Sequence, residues 1–240
     1  MSYTLQQTVN WSQPYVQYVP LTAGVANEPA ISIANTVLST MTSAPMTWGW
    51  NRNEYTALTL VAKQQDYNNI PITDFSFLEK VTLKNTAGTY AFELKDVYNT
   101  NILGVSVSQP AEPKSVSVKM VTYGTSVSLR FLAIPDQDYA ATITYQKLIT
   151  PFTSLSSAWP VPDAYLDIYN NLFLAEAFQV ADDDQQAARY RVRGVAALLA
   201  KAEGLTELQR NAYLSQFLVR AGQAESMGLR VQQGNQARGV

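Results

Sequence analysis

The chain has 240 residues, 47% of them hydrophobic, with 17 basic and 19 acidic side chains and a formal net charge of −2, enough to bury a real core shared between one β domain and one helical domain. It contains neither cysteine nor histidine, which excludes disulfides, thiolate nucleophiles, most structural zinc sites, Ser-His-Asp and Cys-His catalysis, and the commonest transition-metal ligand. Any enzyme here would have to work with carboxylates, Lys, Tyr or Ser alone, so we expect no enzyme, no catalytic residue, no metal and no cofactor.

Residues 1–26 are rich in Gln, Tyr, Pro, Thr and Val and are punctuated by Pro14, Pro20 and Gly24. Too few apolar positions align for this stretch to fold on itself, and we expect an extended arm. Its aromatic residues Trp11, Tyr15 and Tyr18 should pack on something, either their own domain or a neighbouring subunit. Met1 to Gln17 has neither a basic start nor an apolar core of the signal-peptide kind, and no apolar run approaches the roughly 20 residues that cross a bilayer. The expectation is a chain that begins in the cytoplasm and has no membrane partner.

Residues 27–50 should join a helical core. Asn27-Glu28-Pro29 reads as the start of a helix to about Ser43, with Ile31, Ala34, Val37, Leu38 and Met41 on one side. Residues 51–150 then alternate with period two. Strands are predicted over Glu54–Val61, Phe77–Lys84, Tyr90–Leu94, Ser115–Thr122, Ser126–Ala133 and Tyr139–Gln146, with turns at Asp66-Tyr-Asn-Asn, Ala87-Gly88, Tyr123-Gly124 and Pro135-Asp136. Pro110 and Pro113 mark a looser connection. Short strands spaced by turns predict an antiparallel sandwich or small barrel.

Residues 158–227 read as three helices. The first opens at Pro160-Val-Pro162-Asp163, with Asp163 as cap, and runs through Tyr165, Leu166, Ile168, Tyr169, Leu172, Phe173, Leu174, Phe178 and Val180, apolar on nearly every side. Such a helix lies deep in a domain or is covered by a neighbouring chain. Asp182-Asp183-Asp184 caps a second helix with the stripe Ala188, Val192, Val195, Leu199 and Ala202. Gly204 stops it, and Thr206 with Gln209 forms a capping box for a third helix carrying Leu208, Ala212, Phe217, Leu218 and Ala221. Residues 228–240 have little apolar content and should form a flexible tail. The order predicts an α+β fold: a C-terminal helical bundle joined by an N-terminal helix, with an antiparallel β-sandwich or barrel-like domain inserted.

Charge is unevenly placed. From Gln185 onward Arg189, Arg191, Arg193, Lys201, Arg210, Arg220, Arg230 and Arg238 face only Glu203, Glu207 and Glu225, leaving +5 there and −7 on residues 1–184. A polar molecule of this kind can dock head to tail or on a polar assembly, while a solvated Arg-rich helix face accounts for the same count. Three adjacent acids at 182–184 lack the spacing and glycine of a calcium loop, so capping explains them better than cation binding. Glu176, alone in an apolar helix, is either a buried acid or, more ordinarily, an ion-pair partner of Arg189, Arg193 or another chain. Nothing resembles a DNA-recognition helix, finger or basic region, so only non-specific proximity to double-stranded DNA is expected.

Two sets of residues together resemble a known family. Arg52…Tyr55-Thr-Ala-Leu-Thr-Leu-Val-Ala-Lys63-Gln64-Gln65-Asp66-Tyr67, Asp74-Phe75-Ser-Phe77-Leu78-Glu79-Lys80 and Leu129-Arg130-Phe131…Pro135-Asp136…Tyr139 make the first. Trp159-Pro160-Val161-Pro162-Asp163…Tyr165, Leu174-Ala175-Glu176-Ala177 and Ala197-Leu198-Leu199-Ala200…Glu203-Gly204-Leu205-Thr206 make the second. In order and spacing they resemble head–tail adaptor (connector) proteins of tailed bacteriophages over residues 48–215. The arm departs from that pattern, in which more helix precedes the β domain.

The resemblance implies a structural virion protein made in the host cytoplasm. Such proteins form a ring, typically twelvefold (a dodecamer), beneath the portal at the head–tail junction, meet a downstream tail or nozzle protein, and pass the genome through the lumen during ejection. A closed ring needs two different complementary surfaces on each copy. The candidates for subunit or portal contacts are Trp11, Tyr15, Tyr18, Tyr169, Phe173, Arg189, Arg193, Arg230 and Arg238. The alternatives are a β-rich receptor- or carbohydrate-binding module of a phage tail, with exposed aromatics at one sheet edge, and a hydrolase with two acids about 5–10 Å apart, for which no pair is recognisable.

Overall fold

The computed structural model describes residues 3–88, 90–95 and 109–214. The chain is mixed α+β and divides into two compact units. One is built from both ends, Met1–Met46 and Thr150–Val240, and the other from the middle, Thr47–Ile149.

The middle unit is made of strands. A four-stranded antiparallel sheet runs in the order β1 (Arg52–Leu60), β9 (Tyr139–Lys147), β3 (Phe75–Asn85), β4 (Ala91–Lys95). A second antiparallel sheet runs β2 (Asp66–Ile70), β7 (Ser126–Leu132), β6 (Ser115–Thr122). Two short segments, β5 (Pro110–Ala111) and β8 (Ile134–Pro135), pair in parallel. No barrel closes among the described residues. One buried cluster draws on both main sheets, with Leu60, Leu78, Val81, Leu83 and Ile143 from the first and Tyr67, Val116, Leu129 and Phe131 from the second.

The long strand β3 shows how the sequence reaches this core. Its buried residues fall at Phe75, Leu78, Val81, Leu83 and Asn85, so the inward spacing is three, three, two and two. The two wide steps coincide with register shifts between Phe75 and Phe77 and between Leu78 and Lys80. Each bulge adds one residue and returns an apolar side chain to the inner face.

The segment Asp66-Tyr-Asn-Asn, read as a turn, is strand β2. Asn69 keeps the turn-like backbone, with φ +57°, beside a register shift between Tyr67 and Ile70. Contacts made outside the segment override the turn composition. Arg130 Nε and Nη2 each donate to one Asp66 oxygen at 2.7 Å, and the buried Tyr67 hydroxyl accepts from Val61 N at 2.7 Å.

The other unit is helical: α1 (Leu5–Ser12), α2 (Ala30–Thr42), α3 (Leu166–Val180), α4 (Asp184–Lys201) and α5, described over residues 207–214. The expected extended arm is therefore corrected over residues 5–12. Leu5, Thr8, Val9 and Ser12 are buried at helical spacing, and Gln7 Oε1 accepts from Thr4 N at 2.8 Å, a capping box of the same type as Thr206 and Gln209. Residues 3–4 are tied down as well, since Trp159 N donates to Tyr3 O at 2.7 Å and Thr4 bridges to Ala158.

In α2 all five expected apolar residues are buried, together with Ala30 and Ile33. The helix starts later than Asn27, which has φ +64°. Helix α3 is preceded by a short turn of 3-10 helix at Asp163–Tyr165, so Asp163 does not cap it; Tyr165 stands at the N-cap position. Helix α3 packs on α1, α2 and α4. On α4 the buried set is Ala187, Gly194, Val195, Leu198 and Leu199, with Ala188 and Val192 only half-buried. The buried face includes Gly194, where α3 packs close: an added Cβ would lie 2.7 Å from Leu172 Cγ and Cδ2 and 3.1 Å from Leu172 N. Gly204 has φ +72°. Leu208, one of the apolar residues expected on α5, is exposed. Phe217, Leu218, Ala221 and the tail 228–240 lie outside the described residues.

Candidate interaction surfaces

Of the nine residues singled out from the sequence, Tyr169 and Phe173 are corrected by the structure as contact residues. Both are fully buried in α3. Tyr169 lies against Trp159, ring centroids 3.8 Å apart, and Trp159 in turn stacks on Phe152 at 5.6 Å. The greasy helix is covered by its own chain, and burial pushes the Tyr169 hydroxyl well above its ordinary pKa. Arg230 and Arg238 lie outside the described residues.

Trp11, Tyr15 and Tyr18 are at the surface, 40%, 50% and 95% exposed. The Trp11 and Tyr15 rings sit 5.4 Å apart at 47°. The loop that follows α1 is held from inside by one side chain the sequence did not single out. Gln13 Nε2 donates to the carbonyls of Val16 and Val19, each at 3.2 Å, and Gln13 Oε1 accepts from Leu21 N at 3.1 Å. Val16 and Leu21 are buried beneath it. Trp11 is thus displayed on the last turn of α1, and Tyr15 and Tyr18 on a loop fixed by three hydrogen bonds and two apolar anchors, so little ordering entropy opposes binding. No Asp, Glu, Lys or Arg occurs before Glu28, so this surface is neutral as well as aromatic.

Arg189 and Arg193 form a second surface. One turn apart on α4, both are exposed, and neither makes a hydrogen bond or ion pair with any described residue. Arg193 lies 5.7 Å over the Tyr190 ring, which stacks on Phe178 at 5.4 Å. Arg191, between them, turns away and donates to Glu176 Oε1 at 2.8 Å and to Gln179 Oε1. Glu176 is therefore an ion-pair partner, of Arg191 and not of either neighbour expected from the sequence.

The acidic run sits at the turn into α4. Asp183 accepts from Gln186 N at 3.1 Å and caps the helix, while Asp182 takes φ +57° at the corner. Among the described residues no group of three or more acidic side chains is placed to hold a metal ion, and no helix is long and apolar enough to cross a membrane.

In the β unit several charged groups pair with one another across strands. Asp66 bridges three strands through Arg130 on β7 and Lys119 on β6, the latter at 3.2 Å. The Arg130 guanidinium holds the Asp66 carboxyl below its ordinary pKa against partial burial, with Lys119 adding to the effect. Burial pushes Tyr145 up to about 12, helped by its bond to Asp74 Oδ1 at 2.7 Å, and also raises Tyr139 and Tyr67. Gln146 is fully buried and donates to Trp48 O at 3.1 Å and to Glu79, which also binds Arg52 Nε at 2.9 Å. At the β6–β7 hairpin Met120 and Tyr123 are exposed beside Gly124, whose φ is +72°. No family model and no curated protein matches the chain.

Proposed function

We propose that this chain is a head–tail adaptor of a tailed bacteriophage: a structural virion protein, not an enzyme, that forms a ring beneath the portal. The ring links capsid to tail through a downstream tail or nozzle protein, and DNA passes through its lumen. In this reading the two main sheets face one another as a sandwich across their shared core, and the helices of the other unit form a bundle around α3. The observation that carries it is the inserted organisation, a strand unit at Thr47–Ile149 interrupting a helical unit drawn from both ends of the chain. The resemblance to connector proteins, carried by the order and spacing of residue motifs over 48–215, supports the same reading.

The proposal predicts that the purified protein, alone or after mixing with portal rings, runs as a closed oligomer of many copies by mass measurement. A chain that stays monomeric in both conditions, at concentrations well above those of an infected cell, overturns it. A second reading, a receptor- or carbohydrate-binding tail module, is favoured by Tyr123 and Met120 standing exposed at one hairpin of the β unit. It predicts a monomer or trimer that binds cell-surface glycans, with binding lost in Tyr123→Ala.

A further inference from the structure

Two surfaces of the helical unit are built for contact and differ in chemistry. The last turn of α1 and the loop after it, together called the aromatic loop, present Trp11, Tyr15 and Tyr18 within a stretch that has no charged side chain before Glu28. The ridge on α4 presents Arg189 and Arg193, both exposed and with no ion-pair partner among the described residues. Other arginines of the chain have partners within it: Arg191 with Glu176, Arg130 with Asp66, Arg52 with Glu79, and Arg210 with the Ala202 carbonyl at 2.9 Å.

A guanidinium is weakly hydrated and stacks on aromatic faces, and an uncharged aromatic surface offers it π faces with no competing cation. Arg193 already lies over a ring in its own chain, at 5.7 Å from Tyr190. We infer that the aromatic loop of one copy receives the Arg189 and Arg193 ridge of the next. The contact is heterologous: loop on one side, ridge on the other. Repeated with a rotation that divides a full turn evenly, it closes a ring, as the adaptor reading requires. This inference rests on the adaptor reading and supplies the two unlike surfaces that such a ring requires. With α3 buried in its own chain, the ridge takes the place that the greasy helix was expected to fill.

The test uses two variants of the whole chain, one with Trp11→Ala, Tyr15→Ala and Tyr18→Ala, the other with Arg189→Glu and Arg193→Glu, each checked for an unchanged circular dichroism spectrum and melting temperature. Sedimentation velocity of the wild type should show a ring, and each variant alone should associate at least about tenfold more weakly. Mixed in equal amounts, the two variants should stop at a pair, because only one loop and one ridge remain intact between them. Arg189→Lys with Arg193→Lys keeps the charge but loses the planar face, and should fall between wild type and the Glu variant.

Rings formed equally well by wild type and both variants leave the adaptor reading standing and overturn this contact. A wild type that never assembles, with or without portal, overturns the adaptor reading itself. Loss of portal binding by the loop variant with self-association unchanged assigns the loop to the portal and also overturns the contact.

Discussion

Asp66 illustrates how a single side chain can change the reading of its neighbours. In sequence it opens a run of turn formers, Asp66-Tyr-Asn-Asn, and nothing nearby argues otherwise. In the fold it meets Arg130 through two hydrogen bonds of 2.7 Å and Lys119 at 3.2 Å, tying together the three strands of its sheet. Its folded pKa is depressed, so the stabilisation is present above the ordinary value of about 3.8 and is lost as pH falls through the lower folded value. Asp66→Asn should therefore be less stable than wild type at neutral pH by no more than about 1 kcal/mol, since the pair is partly solvated. The difference should shrink as the pH of the denaturant titration is lowered below about 4. A gap that stays constant down to acid pH would show that charge is not what Asp66 contributes.

At the scale of elements, two placements decide what the helical unit presents. The first is the loop after α1. Gln13→Ala removes three hydrogen bonds that stay inside the loop, so the fold should survive at a cost of about 1–3 kcal/mol or less. Amide exchange at Leu21 should rise by an order of magnitude or more as its acceptor is lost, while exchange in α3 stays unchanged. The second is the crossing of α3 and α4. Gly194→Ala puts a methyl 2.7 Å from the Leu172 side chain and 3.1 Å from its backbone nitrogen. Overpacking of this kind costs about 1–3 kcal/mol, more than the helix propensity gained by replacing glycine. A lowered melting temperature checks it, and a raised one would mean that the two helices part easily.

For the whole molecule, the ring reading predicts a mass many times that of one chain, reached alone or on portal rings, and a salt dependence set by contacts of the Arg189 and Arg193 ridge. Cation–π contacts are screened less than exposed ion pairs, so doubling the salt should weaken assembly only modestly. Steep loss of assembly with salt would point to an acidic partner surface in place of the aromatic loop.

What the sequence by itself determined is local. Helix faces, capping boxes, glycines at positive φ and strand alternation are written within a few residues of where they act. For that reason α2, the Thr206–Gln209 box and the antiparallel strands were legible before any coordinates. The absence of cysteine and histidine also constrained the chemistry at once. Only the tertiary structure decided which faces meet. That α3 is buried by its own chain, that the α4 stripe is turned toward Gly194, that residues 66–70 are strand, and that Glu176 takes Arg191 all depend on residues far apart in sequence. The physical reason is that periodicity specifies that an apolar face will be covered but carries no label for the partner. The partner is set by the packing of side chains that only the folded chain brings together.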